Sequence, residues 1–180
     1  SIASDTFPLL VQEHKTVLAL NTSGIQPAAH DLLKTYRDSK QVAATTVLEK
    51  PVLCFSPSTL SDQAKLFIDS FPGEVSYAVK ANPCELVITR LAADGMRVFD
   101  AASIVEMAAI ARICPDAVIH YHNPVKSRGE IATAWHAFGC RRFAADSREE
   151  LAKIEQVVGP ASGAEVAIRF RLPSHKSAAH

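Results

Sequence analysis

Val75-Ser76-Tyr77-Ala78-Val79-Lys80-Ala81-Asn82-Pro83 is the stretch that decides the fold of this chain. An apolar, β-branched run ends in a lysine and meets a turn signal at once. The pattern predicts a buried strand over Val75–Val79 with a single amine at its mouth. A lysine held there loses solvation, its pKa falls, and it can condense with an aldehyde to form a Schiff base.

Around this stretch the pattern alternates. Val52–Phe55 is a short apolar run, and a helical period follows over Thr59–Phe71. After Val75–Val79 come a helix over Glu85–Ala93, a strand at Arg97–Phe99 and a helix over Ile104–Ile113. The same alternation gives strands at Ala117–Tyr121, Arg142–Ala145 and Val166–Phe170, with helices over Arg128–Phe138 and Arg148–Val158. Gly95, Gly139 and Gly159 stand where these helices should stop. Ser103-x-x-Glu106, Ser127-x-x-Glu130 and Ser147-x-x-Glu150 each read as a capping box directly after a strand.

This is the repeating unit of a parallel sheet. The apolar runs are nearly continuous, as expected of strands covered on both faces. The polar residues that close the strands, Lys80, Asp100, Asn123, Asp146 and Arg169, stand 20, 23, 23 and 23 residues apart. Such regularity favours an α/β fold of the (β/α)8 TIM-type barrel over an open doubly wound sheet, which stays as the alternative. No G-x-G-x-x-G or G-x-x-x-x-G-K-[ST] run is present, which weighs against a dinucleotide site or a P-loop. Residues 1–50 differ, with short strands expected at Leu9–Val11 and Val17–Leu20 and a helix over Pro27–Asp38. They are expected to pack outside the barrel that begins at residue 51.

Composition narrows the function. The chain has 180 residues, 48% of them hydrophobic and 21% charged, at a formal net charge of +0. That suits a globular core and disfavours disorder, and the absence of a basic run disfavours nucleic acid or an anionic membrane as partner. No apolar stretch approaches the roughly 18 residues of a membrane span. No secretory signal is visible at Ser1–Asp5, and the missing initiator Met leads us to expect a processed or trimmed chain. Cys54, Cys84, Cys114 and Cys140 form no C-x-x-C pair, so buried free thiols are expected rather than zinc or disulfides, and a cytoplasmic location follows.

In a barrel the strand ends share one rim. Here the rim holds a lysine, an aspartate, an asparagine and an arginine, a set that suits a cofactor with an aldehyde, ionisable ring groups and a phosphate. Each residue also has a plainer reading. Lys80 and Asp100 are placed to form an ion pair across neighbouring strands. Arg169 is a carboxylate or phosphate anchor, or one arm of a structural salt bridge. Glu106 is explained by its capping box. His120 and His122 read as histidines satisfied within the barrel wall, and Trp135 with His136 as helix packing.

Tyr77-Ala78-Val79-Lys80-Ala81-Asn82-Pro83 resembles the lysine motif of the fold-type III pyridoxal-phosphate decarboxylases, the ornithine/diaminopimelate/arginine decarboxylase family. Phe99-Asp100-Ala101-Ala102-Ser103-x-x-Glu106, Tyr121-His122-Asn123-Pro124-Val125-Lys126, Ala145-Asp146-Ser147-x-x-Glu150-Leu151 and Ile168-Arg169-Phe170-Arg171 resemble its next four motifs, in order. The likeness covers roughly residues 50–180, and the ordered set is far more specific than any single motif.

The resemblance implies the alanine racemase-like kind of barrel followed by a β domain, a homodimer, and pyridoxal 5'-phosphate held by Lys80 with Asp100, Glu106 and Arg169 on the cofactor side. It implies decarboxylation of an amino-acid substrate through a Schiff base on Lys80. Arg169–Pro173 and the residues up to His180 look more like the ornithine/lysine branch, because the Arg-x-Asn-Pro type sequence of the diaminopimelate branch is missing. Ornithine is therefore favoured, then lysine, with diaminopimelate as the alternative. Racemization is distant, since Pro83-Cys84-Glu85 departs from the Tyr-Gly-His continuation of the alanine racemases. A non-catalytic homologue acting as a regulatory partner, and a plain binding domain, are the other classes. The chain stops just past its fifth strand, so the expectation is a fragment or one piece of a split protein, completed by a complementary C-terminal chain and inactive alone.

Overall fold

The computed structural model describes residues 17–21, 34–45 and 52–171. The chain divides into two compact units, Ser1–Asp62 and Gln63–His180. The first holds strands β1 (Val17–Asn21), β2 (Lys34–Tyr36) and β3 (Val52–Phe55), helix α1 (Ser39–Thr45) and the start of α2 (Pro57–Ser70). Its sheet is antiparallel in the order β2-β1-β3. The expected strand at Val17–Leu20 is present, and that at Leu9–Val11 lies outside the described residues. The helix expected over Pro27–Asp38 is corrected where it can be seen, because Lys34–Tyr36 is a strand paired with Val17–Ala19. The helix begins only at Ser39, where Asp38 Oδ1 accepts from Gln41 N at 2.8 Å.

The second unit is a run of β/α units. In chain order these are β4 (Ser76–Ala78), α3 (Glu85–Ala93), β5 (Val98–Ala101), α4 (Ile104–Ile113), β6 (Val118–Tyr121), α5 (Arg128–Ala137), β7 (Arg142–Ala145), α6 (Arg148–Val158) and β8 (Glu165–Ile168). All five strands are parallel and lie in the sequential order β4-β5-β6-β7-β8. A doubly wound sheet reverses its strand order at a switch point. The described strands show no reversal, and the order is that of an arc of a (β/α) barrel.

Strand alternation divides this sheet into two chemically distinct faces. Phe99, Ala101, Ile119, Tyr121, Phe143 and Ala145 point one way and are buried. Ile88, Leu91, Met107, Ile110, Ile131, Ala134 and Ile154, one helix face after another, are buried too. The other face runs through Ala78, Asp100, His120, Arg142 and Glu165, which are register partners across the sheet. The expectation of strands apolar on both faces is therefore corrected for this face. Arg142 reaches Glu165 Oε2 at 2.7 Å and Glu74 Oε1 at 3.1 Å, and His120 Nε2 lies 3.8 Å from Glu74 Oε1. Burial pushes His120 below the ordinary imidazole range, and Arg142 and His122 push the same way.

Helix ends follow local chemistry. Gly95 (φ 99°) and Gly139 (φ 63°) take the left-handed backbone that stops α3 and α5. The three serine caps all form, but the glutamates do different things. Ser127 and Glu130 make the full reciprocal box, with Glu130 Oε2 accepting from Ser127 N at 2.8 Å. That bond holds the Glu130 carboxyl below its usual range. Glu106 instead accepts from Ala102 N at 2.6 Å, one residue before the cap. Glu150 turns inward to two lysines. Ser127→Ala should cost about 1 kcal/mol, the usual value of an N-cap, seen as a lowered urea midpoint at unchanged slope.

The four cysteines are free. Cys114 and Cys140 are buried as expected, while Cys84 is half-buried and Cys54 exposed. Trp135 stacks on Phe143 at 6.4 Å between centroids, with the Arg141 guanidinium 3.8 Å above its ring, in line with a packing role. Among the described residues no helix is long and apolar enough to cross a membrane.

Candidate active site

The lysine stretch folds differently from a simple strand. Only Ser76–Ala78 pair with β5, and Val79–Ala81 close into a 3-10 turn sealed by Asn82 N donating to Val79 O at 3.1 Å. Pro83 forbids helical backbone at the residue before it, and Asn82 is accordingly extended at φ −156°, ψ 100°. Tyr77 Oη donates to Asn82 O, and Asn82 Oδ1 accepts from Cys84 N, both at 3.1 Å. Tyr77 and Asn82 thus brace the turn that presents Lys80.

Lys80 lies in that turn and is exposed, so the buried strand mouth is corrected. The turn lifts the side chain beyond the last sheet pairing, where the described residues do not cover it. Among the described residues its amine has no hydrogen bond or ion pair. The structural reading of Lys80, a salt bridge to Asp100, is not what forms. Asp100 Oδ1 instead lies 3.3 Å from His122 Nδ1.

Asp100 belongs to β5, pairs in register with Ala78, and is largely shielded from solvent. Ala78 and Asp100 share a sheet face, and Lys80 stands in the 3-10 turn just beyond, outside the alternation of the strand. His122 follows β6 and shares that face, since His120 is the register partner of Asp100. A carboxylate only accepts, so the pairing favours the proton on Nδ1 of His122. Its Nε2 is buried, with no hydrogen-bond partner among the described residues. A buried polar atom left so costs about 1–3 kcal/mol, which calls for a partner. His122 is thus not the satisfied wall histidine expected, although its place in Tyr121–Lys126 was the signal that could have found it.

Glu106 has one carboxylate oxygen committed to Ala102 N, at the end of β5. Arg169 follows β8, is exposed, and donates its backbone N–H to Ala145 O at 2.8 Å. Strand alternation puts it on the face of Asp100, but at the end of β8, the edge of the five-stranded arc opposite β4. Asp146 is exposed, while Asn123 ties the exit of β6 to β5 through a 3.3 Å bond from Nδ2 to Ala102 O.

Beneath this rim lies a group the motif spacing did not single out. The Lys126 side chain is 0% exposed, and its Nζ donates to Asn123 O at 2.9 Å and Ala144 O at 2.6 Å. Glu150 Oε1 lies 2.8 Å from the same ammonium, and Glu150 Oε2 lies 2.5 Å from Lys153 Nζ. Burial pushes the Glu150 carboxyl up, but Lys126 and Lys153 outweigh it and hold it below the usual range. This cluster fixes the loop carrying His122 and Asn123 to β7 and α6.

The described residues thus form a parallel β/α arc with a braced lysine, unpaired among those residues, just past the end of its first strand. Comparison with known proteins gives its family. Residues 58–180 match the family model of the pyridoxal-dependent decarboxylases, pyridoxal binding domain, and the chain belongs to that family. An ornithine decarboxylase from Panagrellus redivivus is 44% identical over 80 residues, which is 44% of this chain and 18% of that protein. A lysine decarboxylase from Selenomonas ruminantium superposes with a TM-score of 0.60 at 26% identity, over 77% of this chain and 37% of that one. A lysine/ornithine decarboxylase from Vibrio vulnificus, solved with putrescine, gives 0.55 at 26% identity, over 63% and 31%. The chain therefore spans about a fifth of that curated relative and about a third of those solved structures.

Proposed function

We propose that this chain provides the lysine-bearing part of a pyridoxal-phosphate-dependent decarboxylase that converts a basic L-amino acid, ornithine first and lysine next, to its diamine. The observation that carries the reading is Lys80, an amine on a braced turn, unpaired while the neighbouring carboxylate is held by a histidine. The residues present fit pyridoxal phosphate. The Lys80 amine matches its aldehyde, and it stands exposed on a braced turn with no competing ion pair among the described residues. When bound, the group supplies an electron sink for the carbon that loses carbon dioxide.

The protein's part is binding and proton handling. Lys80 Nζ would be the nucleophile that meets the aldehyde, and its ammonium form could return a proton to the carbon that has lost carbon dioxide. Asp100 orients the neighbouring imidazole. Glu106, anchored to Ala102 N, fixes the start of α4 beside the site. Arg169 is the anion anchor on the far edge of the arc. The basic substrate rests on the names of the relatives and on the residues after Arg169. A homodimer belongs to the same proposal through the family resemblance.

The test uses the intact protein. Borohydride reduction after adding pyridoxal phosphate should label the peptide carrying Lys80. Carbon dioxide release should be fastest from ornithine, slower from lysine, and negligible from diaminopimelate. A label elsewhere ends the assignment of Lys80. A preference for diaminopimelate ends the substrate reading and leaves the lysine standing.

A further inference from the structure

We propose that Tyr77 is a positioning residue for Lys80: from the sheet face opposite Asp100, its hydroxyl staples together the two ends of the turn that carries the amine. This deepens the reading of Lys80 given above and rests on it. Tyr77 is the register partner of Phe99, and Ala78 that of Asp100. Alternation therefore puts the phenol on the face of Phe99, away from Asp100, so it acts from behind the rim. Its Oη donates to Asn82 O at 3.1 Å. That bond joins the strand entering the turn to the residue leaving it, with Lys80 between them. Burial pushes the phenol above its ordinary range, and Cys84 pushes the same way, so the hydroxyl keeps its proton and stays a donor.

Lys80 depends on its backbone for its place. Its side chain is exposed, and no hydrogen bond or ion pair among the described residues holds the amine. Val79, the residue before it, is 1% exposed and anchors the entry of the turn in the core. The exit is set by Asn82, whose Oδ1 accepts from Cys84 N at 3.1 Å. Tyr77 Oη links these two ends. A 3-10 turn has poorer hydrogen-bond geometry than an α-helix, so a side-chain staple adds much to its persistence. A nucleophile displaced by about 1 Å can lose on the order of 10²-fold in rate, and a loosened turn displaces the amine it carries.

Tyr77→Phe keeps the ring and removes the hydroxyl. In the intact protein without cofactor, backbone amides over residues 79–82 should exchange with solvent about tenfold faster, as one net hydrogen bond allows, at a nearly unchanged unfolding midpoint. With saturating pyridoxal phosphate, the imine absorbance should appear about tenfold more slowly. Tyr121→Phe is the control. It removes a buried hydroxyl from the same sheet face, one with no hydrogen-bond partner among the described residues, and should change neither readout. Unchanged exchange over residues 79–82 in Tyr77→Phe overturns the proposal, as does faster exchange with an unchanged imine rate. Faster exchange along the whole chain with a lowered midpoint overturns it too, because the hydroxyl then only supports the fold. Equal changes in Tyr121→Phe have the same consequence. No borohydride label at Lys80 in the unaltered protein overturns instead the reading on which the proposal rests.

Discussion

Lys80→Ala and Lys80→Arg in the intact protein should each lower kcat by on the order of 10³- to 10⁴-fold, the range one positioned proton-transfer group supplies. Both should also lose the imine absorbance and the borohydride label. Arginine is the informative variant. It keeps a positive charge at the same turn but cannot deprotonate to act as a nucleophile. If charge alone mattered at this position, arginine would retain activity and the proposed role would fail. The experiment is clean because the side chain is exposed and makes no ion pair among the described residues. Substitutions at such surface positions usually change stability by no more than about 0.5 kcal/mol. A lost activity with an unchanged unfolding midpoint is therefore chemistry, not misfolding.

Lys126→Ala should have the largest effect on stability, about 3–5 kcal/mol, the usual cost of removing one partner of a buried ion pair. The ammonium is fully buried, and its loss takes a donor from Ala144 O and the cation from Glu150 Oε1, leaving Lys153 at Oε2. Replacing both partners, as in Lys126→Met with Glu150→Leu, should cost less, because no buried charge is then left alone. A double mutant as unstable as Lys126→Ala would show that the charges do more than neutralise each other. Urea midpoints across the set decide it. The pH dependence has a definite sign. Glu150 has a folded pKa below its unfolded value of about 4.3, so its contribution is present above that pH and is lost as pH falls through the lower folded value. Lys126→Ala should reduce this acid sensitivity but not abolish it, since Lys153 remains 2.5 Å from Glu150 Oε2.

The parallel architecture was readable before any coordinates. Helices α3, α4 and α6 have the bounds that periodicity set, and β7 likewise. Local signals suffice there, because a serine cap and an apolar stripe specify a helix without reference to distant residues. The helix expected over Pro27–Asp38 failed at Lys34–Tyr36, where pairing with β1 overrides the local pattern. The capping glutamates show the same limit. Three identical Ser-x-x-Glu signatures gave one reciprocal box, one bond to Ala102 and one inward turn to Lys126. The serine acts on its own helix turn, but the glutamate has a longer reach and goes where its strongest partner lies.

What this chain declares by sequence alone is its β/α order, its ordered motifs and the lysine at the end of β4. These depend on neighbours within a turn or two, or on likeness along the chain. Only the tertiary structure decided that Lys80 stands in a 3-10 turn with no ion pair among the described residues, that Asp100 takes His122 as its partner, and that Lys126 is buried. Each of these depends on which side chains adjacent strands and helices bring within a few ångströms, and residue spacing does not encode that choice.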